Sequence, residues 1–242
     1  KITHPDQNAG TYTAAPGAPL KYPDELNEYP NTFRKKRHER NNRMCKLITE
    51  KYAKYGISLD FEKDVLPLSK SNEGGSVTER HLLYALAVKI AERFIDKQEL
   101  IGFLKNPLGL TISDKINGYL LDESNPHFLY DLVGVLKADT KFFYIDADEE
   151  MPIAEEFIKK AKSLGAIPAY AYLGDVKDSV TGDKKAQKFE DDYLEDLFVE
   201  LKKAGFLAIA YMPTRNTPEQ LKRLQGLCKK YEMFEISGED IN

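Results

Sequence analysis

The chain has 242 residues, of which 42% are hydrophobic and 31% are charged, so it is long enough to bury a substantial core. Its net charge of −4 gives no overall electrostatic basis for binding nucleic acid, and a duplex nucleic acid partner is not expected. No apolar run reaches membrane-spanning length, so the sequence also predicts no membrane partner.

The two cysteines point to a reducing environment. Cys45 and Cys228 lie far apart, in segments with helical patterns, and they lack the C-x-x-C spacing of a zinc or redox pair. We interpret them as buried free thiols rather than as a disulfide. Free thiols are typical of a reducing compartment, and a cytoplasmic location is therefore expected.

The first half of the chain is predicted to hold a strap followed by a helical block. Residues 1–33 contain five prolines and little periodicity, which indicates a long loop or an extended strap. Residues 34–138 are mostly helical in pattern and open with a helix at 34–55 that Gly56 ends. The arginines and lysines at the start of this helix form either a phosphate-contacting face or a solvated surface, and the second interpretation is favoured.

The next helix of this block is predicted to begin with a capping box. Residues 76–79 read Ser-Val-Thr-Glu, which is the spacing that satisfies the first backbone N–H groups of a helix. His81 lies in the first turn of that helix. A structural role for this histidine is favoured over metal ligation.

From residue 139 the pattern changes to alternating strands and helices. Strands are predicted at 142–145, 167–173, 206–211 and 233–237, and helices at 152–164, at 189–204 and from Pro218 onward. Thr217 and Gln220 form a capping box around Pro218. The alternation predicts an α/β domain at 139–242, built on a parallel sheet or on part of a (β/α) barrel.

Polar residues follow each predicted strand, and the carboxyl ends of parallel strands meet at one edge where ligands bind. The residues at these ends are Asp146 with Glu149 and Glu150, Tyr172 with Asp175, Thr214 with Arg215, and Asp240 with Asn242. Carboxylates, a phenol, an amide and an arginine on one edge suit an oxyanion substrate held near a divalent metal. An arginine just past a strand end can bind phosphate bidentately.

Residues 146–242 resemble the closing part of the PHP (polymerase and histidinol phosphatase) family of metal-dependent phosphoesterases. The run from Arg215 to Glu219 resembles the family's R-N-x-x-E motif, residues 165–173 resemble its G-x-I-P-x-x-A-H-P strand, and residues 238–242 resemble its G-S-D-x-H ending. The resemblance implies a distorted seven-stranded barrel carrying a mostly helical insertion. It also implies metal-dependent hydrolysis of a phosphate ester, with a small phosphorylated substrate or a nucleotide as partner.

The same resemblance assigns roles to four residues. Asp240 and Asn242 would be metal ligands, while Tyr172 and Arg215 would be catalytic, with Tyr172 near the metals and Arg215 toward the phosphate. The cofactors would be divalent ions, namely manganese, zinc or magnesium. Oxygen ligands in place of histidine nitrogens shift the expected preference from zinc toward manganese or magnesium.

The chain departs from the family at its histidine positions. It has no H-x-H pair, and Tyr172 and Asn242 stand where the family motifs have histidine. The four histidines match none of these motifs; they are His4, His38, His81 and His127. This chain alone therefore does not supply the family's full set of metal ligands.

Three hypotheses remain open at this point. In the first, which is slightly favoured, an N-terminal part of the PHP domain lies outside these residues and completes a working phosphoesterase. In the second, the chain is a non-catalytic PHP-like module that binds a phosphorylated or anionic ligand. In the third, it is an interaction protein that uses the helix at 34–55 to bind a partner.

Overall fold

A computed structural model of the chain describes residues 11–19, 23–176 and 188–238. The chain divides into two compact units: unit 1 comprises residues 1–30 and 151–242, and unit 2 comprises residues 31–150. The division made from sequence alone places its boundaries after residues 33 and 138. Each helix in the described part of the chain is too short or too polar to cross a lipid bilayer.

Unit 2 is built from helices around one apolar core. The helices are α1 (Pro23–Tyr52), whose residues up to Pro30 belong to unit 1, α2 (Glu79–Arg93), α3 (Lys97–Lys105), α4 (Asp114–Leu121) and α5 (Phe128–Leu136). A π-helix at Phe61–Val65 and short 3₁₀ turns lie between α1 and α2. The core side chains that are fully buried include Ile48, Leu82, Leu86, Ile90 and Leu104. Residues 31–150 therefore form a helical unit with its own core.

The helix α1 begins at Pro23, inside the segment that the sequence predicts to be a loop or strap, so that prediction is wrong for its last residues. Asp24 and Glu25 in the first turn interact favourably with the helix dipole, which is a start signal. Pro30 lies inside the helix. Because proline normally interrupts helical hydrogen bonding, its presence argues in the sequence against a helix that begins before it. The predicted stop is confirmed, since Gly56 adopts a left-handed conformation with φ 74°.

The strand predicted at 142–145 is absent from the structure. Residues 141–143 form a turn, and the next three residues pair with no strand in the described part of the chain. Phe143 is almost completely buried in the core of unit 2, and the ammonium of Lys51 lies 3.8 Å from the centre of the Phe142 ring. The apolar run therefore reflects packing against helices, which a short pattern does not distinguish from sheet pairing.

The predicted capping box at 76–79 is shifted by two residues. Thr78 is the N-cap of α2, and its backbone N–H donates to Nδ1 of His81 at 3.0 Å. Ser76 instead accepts a hydrogen bond from Nη1 of Arg37 at 2.8 Å. Burial lowers the pKa of His81, which keeps the ring neutral so that Nδ1 can accept. The structure therefore gives His81 a capping role.

Unit 1 contains a four-stranded sheet among its described residues. In spatial order the strands are β1 (Thr13–Ala14), β2 (Ala169–Tyr172), β3 (Ala208–Tyr211) and β4 (Phe234–Ser237). The pairs β2–β3 and β3–β4 are parallel, whereas β1 is antiparallel to β2. The α/β class is therefore confirmed, but the sheet is mixed, and the residues that the structure describes do not form a barrel.

Three helices alternate with these strands in the chain and cover one face of the sheet. They are α6 (Ala154–Ser163), α7 (Leu194–Ala204) and α8 (Pro218–Lys230). Tyr170 and Ile209 from the sheet share a core with Phe198 and Leu224 from the helices. The capping box of α8 is formed as the sequence predicts, with Thr217 as the N-cap.

Both cysteines are buried and free, as predicted. Burial raises the pKa of the Cys45 thiol to about 11 and that of the Cys228 thiol to about 12. Both thiols therefore stay protonated at neutral pH, which makes them poor nucleophiles and poor metal ligands.

Candidate functional site

A group of polar side chains lies at the carboxyl ends of β2 and β3 in unit 1, the edge where parallel α/β sheets bind ligands. We call this group the strand-end cluster; its members are Tyr172, Asp175, Glu190, Asp191, Arg215, Asn216 and Gln220. They come from the end of β2, from the turn before α7, and from the segment that leads into α8. Separate parts of the chain therefore meet at one edge of the sheet.

Backbone N–H groups after β2 point toward two neighbouring carboxylates. The N–H of Gly174 donates to Glu190 at 2.9 Å, that of Leu173 donates to the same carboxylate at 3.4 Å, and that of Asp175 donates to Asp191 at 3.0 Å. Successive N–H groups of this kind make a concave site that prefers an anion. The protein's own carboxylates occupy that position here, and they fix the path of the chain after β2.

The two tyrosines of β2 also donate to these carboxylates. The hydroxyl of Tyr170 donates to Glu190 at 2.8 Å, and the hydroxyl of Tyr172 donates to Asp191 at 2.5 Å. Burial, reinforced by the nearby carboxylates, raises the pKa of both phenols well above its usual value. Burial also raises the pKa of the Glu190 carboxyl. Tyr172 is only 1% exposed, so its hydroxyl acts as a hydrogen-bond donor inside the protein.

The guanidinium of Arg215 is held on two sides. Its Nε donates to the Leu173 carbonyl at 3.0 Å, and its central carbon lies 5.3 Å from the centre of the Phe189 ring. Within the described residues, neither Nη1 nor Nη2 of Arg215 has a protein partner. As far as the described residues extend, the outer edge of this half-buried arginine is therefore left available, and that edge matches two oxygens of a phosphate or carboxylate.

Asn216 packs tightly against the turn after β2. Its Nδ2 donates to the Leu173 carbonyl at 2.8 Å, and the residue is only 8% exposed. Its Oδ1 is buried and finds no partner in the parts of the chain that the structure describes. Gly174 has φ 71°, and a Cβ on it would lie 2.3 Å from Nδ2 of Asn216. Glycine is therefore required here both for the backbone conformation and for the close approach.

Gln220 connects the start of α8 to the rest of the cluster. Its Oε1 accepts from the backbone N–H of Thr217 at 2.8 Å, which closes the capping box. Its Nε2 donates to Asp191 at 2.6 Å and to the Asp175 carbonyl at 2.9 Å. One side chain thus caps α8 and fixes its distance from the turn after β2.

The structure brings two of the predicted site residues together in one cluster. Tyr172 and Arg215 both belong to the strand-end cluster, whereas Asp240 and Asn242 lie outside the described residues. Asp146 and Glu150 belong to unit 2 and follow no strand. These two carboxylates were predicted to follow a strand at 142–145, and that part of the prediction is wrong.

Basic residues at the start of the helix predicted at 34–55 are used within unit 2. Glu150 accepts from Nε of Arg40 at 3.1 Å and from Nε of Arg37 at 3.1 Å, and Glu79 accepts from Nη2 of Arg40 at 2.7 Å. Arg34 donates to the Gly74 carbonyl at 2.9 Å. Arg40 is almost fully buried, so it contributes neither to a phosphate-contacting face nor to a solvated surface.

The described residues do not by themselves fit a divalent metal ion. In residues 11–19, 23–176 and 188–238, no group of three or more histidine, cysteine or acidic side chains is arranged to hold one. The oxygens of Glu190 and Asp191 already accept hydrogen bonds from N–H and O–H groups. A metal would need ligands beyond these residues.

Sequence reasoning missed Glu190 and Asp191, which accept more hydrogen bonds than any other side chains of the cluster. Both fall in the first turn of the helix predicted at 189–204, although α7 itself begins at Leu194 after a 3₁₀ turn at Asp191–Tyr193. Acidic residues are common at such positions because they complement the helix dipole. The useful signal was the pair of tyrosines two residues apart on β2, because buried hydroxyls on one face of a strand require acceptors nearby.

No protein-family model and no curated protein matches the chain. Its structure is similar to the crystal structure of a "putative metal-dependent phosphoesterase" from Bifidobacterium adolescentis, with 15% sequence identity and a TM-score of 0.48. The similarity covers 98% of this chain and 65% of that one, so the chain spans about two thirds of its neighbour's length. A similarity of this extent does not establish a shared activity.

Proposed function

We propose that the chain is part of a PHP-type phosphoesterase that hydrolyses a small phosphorylated substrate or a nucleotide. The observation that carries the proposal is the placement of Arg215, whose outer guanidinium edge has no partner among the described residues at the carboxyl ends of two parallel strands. An arginine fixed in this way binds an oxyanion through two parallel hydrogen bonds.

The surroundings of Arg215 also favour an anion. The helix α8 begins at Pro218, three positions further along the chain, and the amino end of a helix carries a partial positive charge. The Nε contact to the Leu173 carbonyl and the Phe189 ring limit the orientations of the guanidinium. Because only its outer edge is available, the expected ligand group is a terminal phosphate rather than a phosphate enclosed on all sides.

The metal part of the proposal rests on the PHP resemblance and on residues outside the described ranges. Asp240 and Asn242 are proposed as ligands of divalent manganese, zinc or magnesium in a PHP-type barrel. Such ions would supply an activated water and neutralise charge on the phosphate. A cytoplasmic location is also proposed, because the free thiols Cys45 and Cys228 are typical of a reducing compartment.

A second candidate function is a non-catalytic module that binds a phosphorylated ligand. Tyr172 favours it, because this residue stands where the PHP motif has a ligand histidine and its hydroxyl donates to Asp191. Arg215 would then serve binding alone.

The test compares wild-type protein with Arg215→Lys and with Arg80→Lys, a control at an exposed arginine of α2. Inorganic phosphate binding, phosphate-monoester turnover and metal content by elemental analysis are measured with manganese, zinc and magnesium. Loss of the bidentate contact should weaken phosphate binding about 10-fold to 100-fold, while the control stays unchanged. Unchanged binding in Arg215→Lys would refute the role of this residue.

Asp240→Ala separates the two candidate functions. In a phosphoesterase this variant should lose bound metal and turnover while remaining folded. Phosphate binding without turnover or bound metal in the wild-type protein, with each of these ions, would instead identify the binding module.

A further inference from the structure

We infer that Asp191 is the positioning residue of the strand-end cluster, and that its carboxylate fixes Arg215 in the orientation that receives phosphate. This inference rests on the proposed function of Arg215. Asp191 itself does not touch Arg215. It acts through the chain after β2 and through the start of α8.

The first connection runs through the backbone after β2. One oxygen of Asp191 accepts from the Tyr172 hydroxyl, and the other accepts from the Asp175 N–H. These two contacts flank Leu173, whose carbonyl accepts from Nε of Arg215 at 3.0 Å. The position of that carbonyl sets the position of the guanidinium.

The second connection runs through α8. The oxygen of Asp191 that accepts from Asp175 also accepts from Nε2 of Gln220 at 2.6 Å. Gln220 is bound in turn to the N-cap Thr217, two positions after Arg215. The Asp191 carboxylate therefore contacts both the turn after β2, which holds the Arg215 side chain, and Gln220 at the start of α8, which follows Arg215 in the chain.

Glu190 does not duplicate this function. Its carboxylate binds Tyr170 and the N–H groups of Leu173 and Gly174, all of which belong to β2 or its turn. Among the described contacts, only Asp191 joins that turn to α8 through a side-chain carboxylate.

The substitutions at Asp191 separate position from charge. Asp191→Ala removes all the acceptors, which leaves Gln220 and the Asp175 N–H without a side-chain partner. Asp191→Asn removes the charge but keeps one oxygen for Asp175 and Gln220, and its amide can donate to the Tyr172 oxygen. If position matters, Asn should restore what Ala loses. If the negative charge merely repels phosphate, both substitutions should strengthen binding.

The experiment measures the affinity of the intact chain for inorganic phosphate by calorimetry, with circular dichroism to show that each variant is folded. Asp191→Ala should weaken binding about tenfold, and Asp191→Asn should stay within about threefold of wild type. Asp192→Ala is the matched control, because this neighbouring carboxylate is exposed and pairs with Lys188 at the surface.

A double-mutant cycle with Arg215→Lys decides whether Asp191 acts through the arginine. In the Arg215→Lys background, Asp191→Ala should change the phosphate affinity by less than about twofold, since the group it positions is gone. Independent, additive losses would overturn the inference, as would wild-type affinity in Asp191→Ala. Absence of phosphate binding in the wild-type protein would instead refute the proposed function itself.

Discussion

Replacement of Gly174 by alanine is expected to destabilise unit 1 and to disturb the strand-end cluster. Gly174 has φ 71°, and an added Cβ would lie 2.3 Å from Nδ2 of Asn216 and 2.9 Å from the Tyr172 hydroxyl. The methyl group would therefore displace the Asn216 amide, which donates to the Leu173 carbonyl, and the Tyr172 hydroxyl, which donates to Asp191. Arg215 shares that carbonyl, so its orientation should change as well.

The expected cost has two parts. Alanine in a left-handed conformation costs about 1–2 kcal/mol. Displacement of the Asn216 amide leaves a buried polar group without a partner, which costs about 1–3 kcal/mol more. The free energy of unfolding should therefore fall by about 2–5 kcal/mol, and phosphate affinity should fall with it.

Two other glycines serve as matched controls. Gly205 also has a positive φ of 96°, but an added Cβ would meet only the flexible end of Lys162 and the edge of Ile158. Gly205→Ala should therefore cost about 1–2 kcal/mol. Gly226 lies within α8 with nothing within 4 Å of the added Cβ, so Gly226→Ala should stabilise the protein by about 1 kcal/mol.

The assay is urea unfolding followed by far-UV circular dichroism, because the chain contains no tryptophan to report by fluorescence. Equal destabilisation by Gly174→Ala and Gly205→Ala would show that the close approach to Asn216 contributes nothing. Wild-type phosphate affinity in a folded Gly174→Ala protein would also contradict the link between this turn and Arg215.

Two further predictions concern unit 2. The side chains of Arg40 and Glu150 are only 5% and 4% exposed. Arg40→Met should lower the free energy of unfolding by about 3–5 kcal/mol, because it leaves the buried Glu150 carboxylate without its main partner. Arg37→Met, which removes a 35% exposed partner of the same carboxylate, should cost less than about 1 kcal/mol in the same urea experiment, and equal costs would contradict this explanation. Burial lowers the pKa of His81 below its usual value of 6.5. The neutral ring therefore contributes its full stabilisation above about pH 6.5, and this stabilisation is lost as the pH falls below 6.5 through the lowered pKa. His81→Gln keeps a capping side chain and should remove this part of the pH dependence between about pH 8 and about pH 5, whereas an unchanged pH profile would show that His81 does not titrate in this way.

Local signals in the sequence were sufficient for elements whose ends are set by neighbouring residues. The helix α8 is an example, because Thr217, Pro218 and Gln220 specify its start without any tertiary contact. The same sequence predicts that Gln220 caps the helix, but not that its amide also binds Asp191. That second contact depends on where the turn before α7 lies in space, and spacing along the chain does not contain that information.

Two incorrect predictions have different physical causes. Residues 142–145 are apolar enough for a buried strand, yet Phe143 is buried against helices of unit 2. Helix α1 begins before Pro30, although a proline in sequence usually indicates an end. In the first case tertiary packing outweighs a local preference of a few kcal/mol at most, whereas in the second the acidic first turn of α1 favours a helix that begins before the proline. Packing also decides the role of the charged run that begins at Arg34, because Arg40 is buried together with its partner Glu150 instead of facing solvent.

The two candidate functions assign different tasks to the residues at the edge of the sheet. The Tyr172 hydroxyl stays protonated and donates to Asp191, so in the described residues this position supports geometry rather than metal ligation. Arg215 is positioned by that same geometry and keeps an edge for an oxyanion. Phosphate binding should therefore depend on Arg215 and Asp191 in either case, whereas turnover should depend in addition on Asp240. If Asp240→Ala retains phosphate affinity and loses turnover, the residues after β4 carry the chemistry and the strand-end cluster carries phosphate recognition.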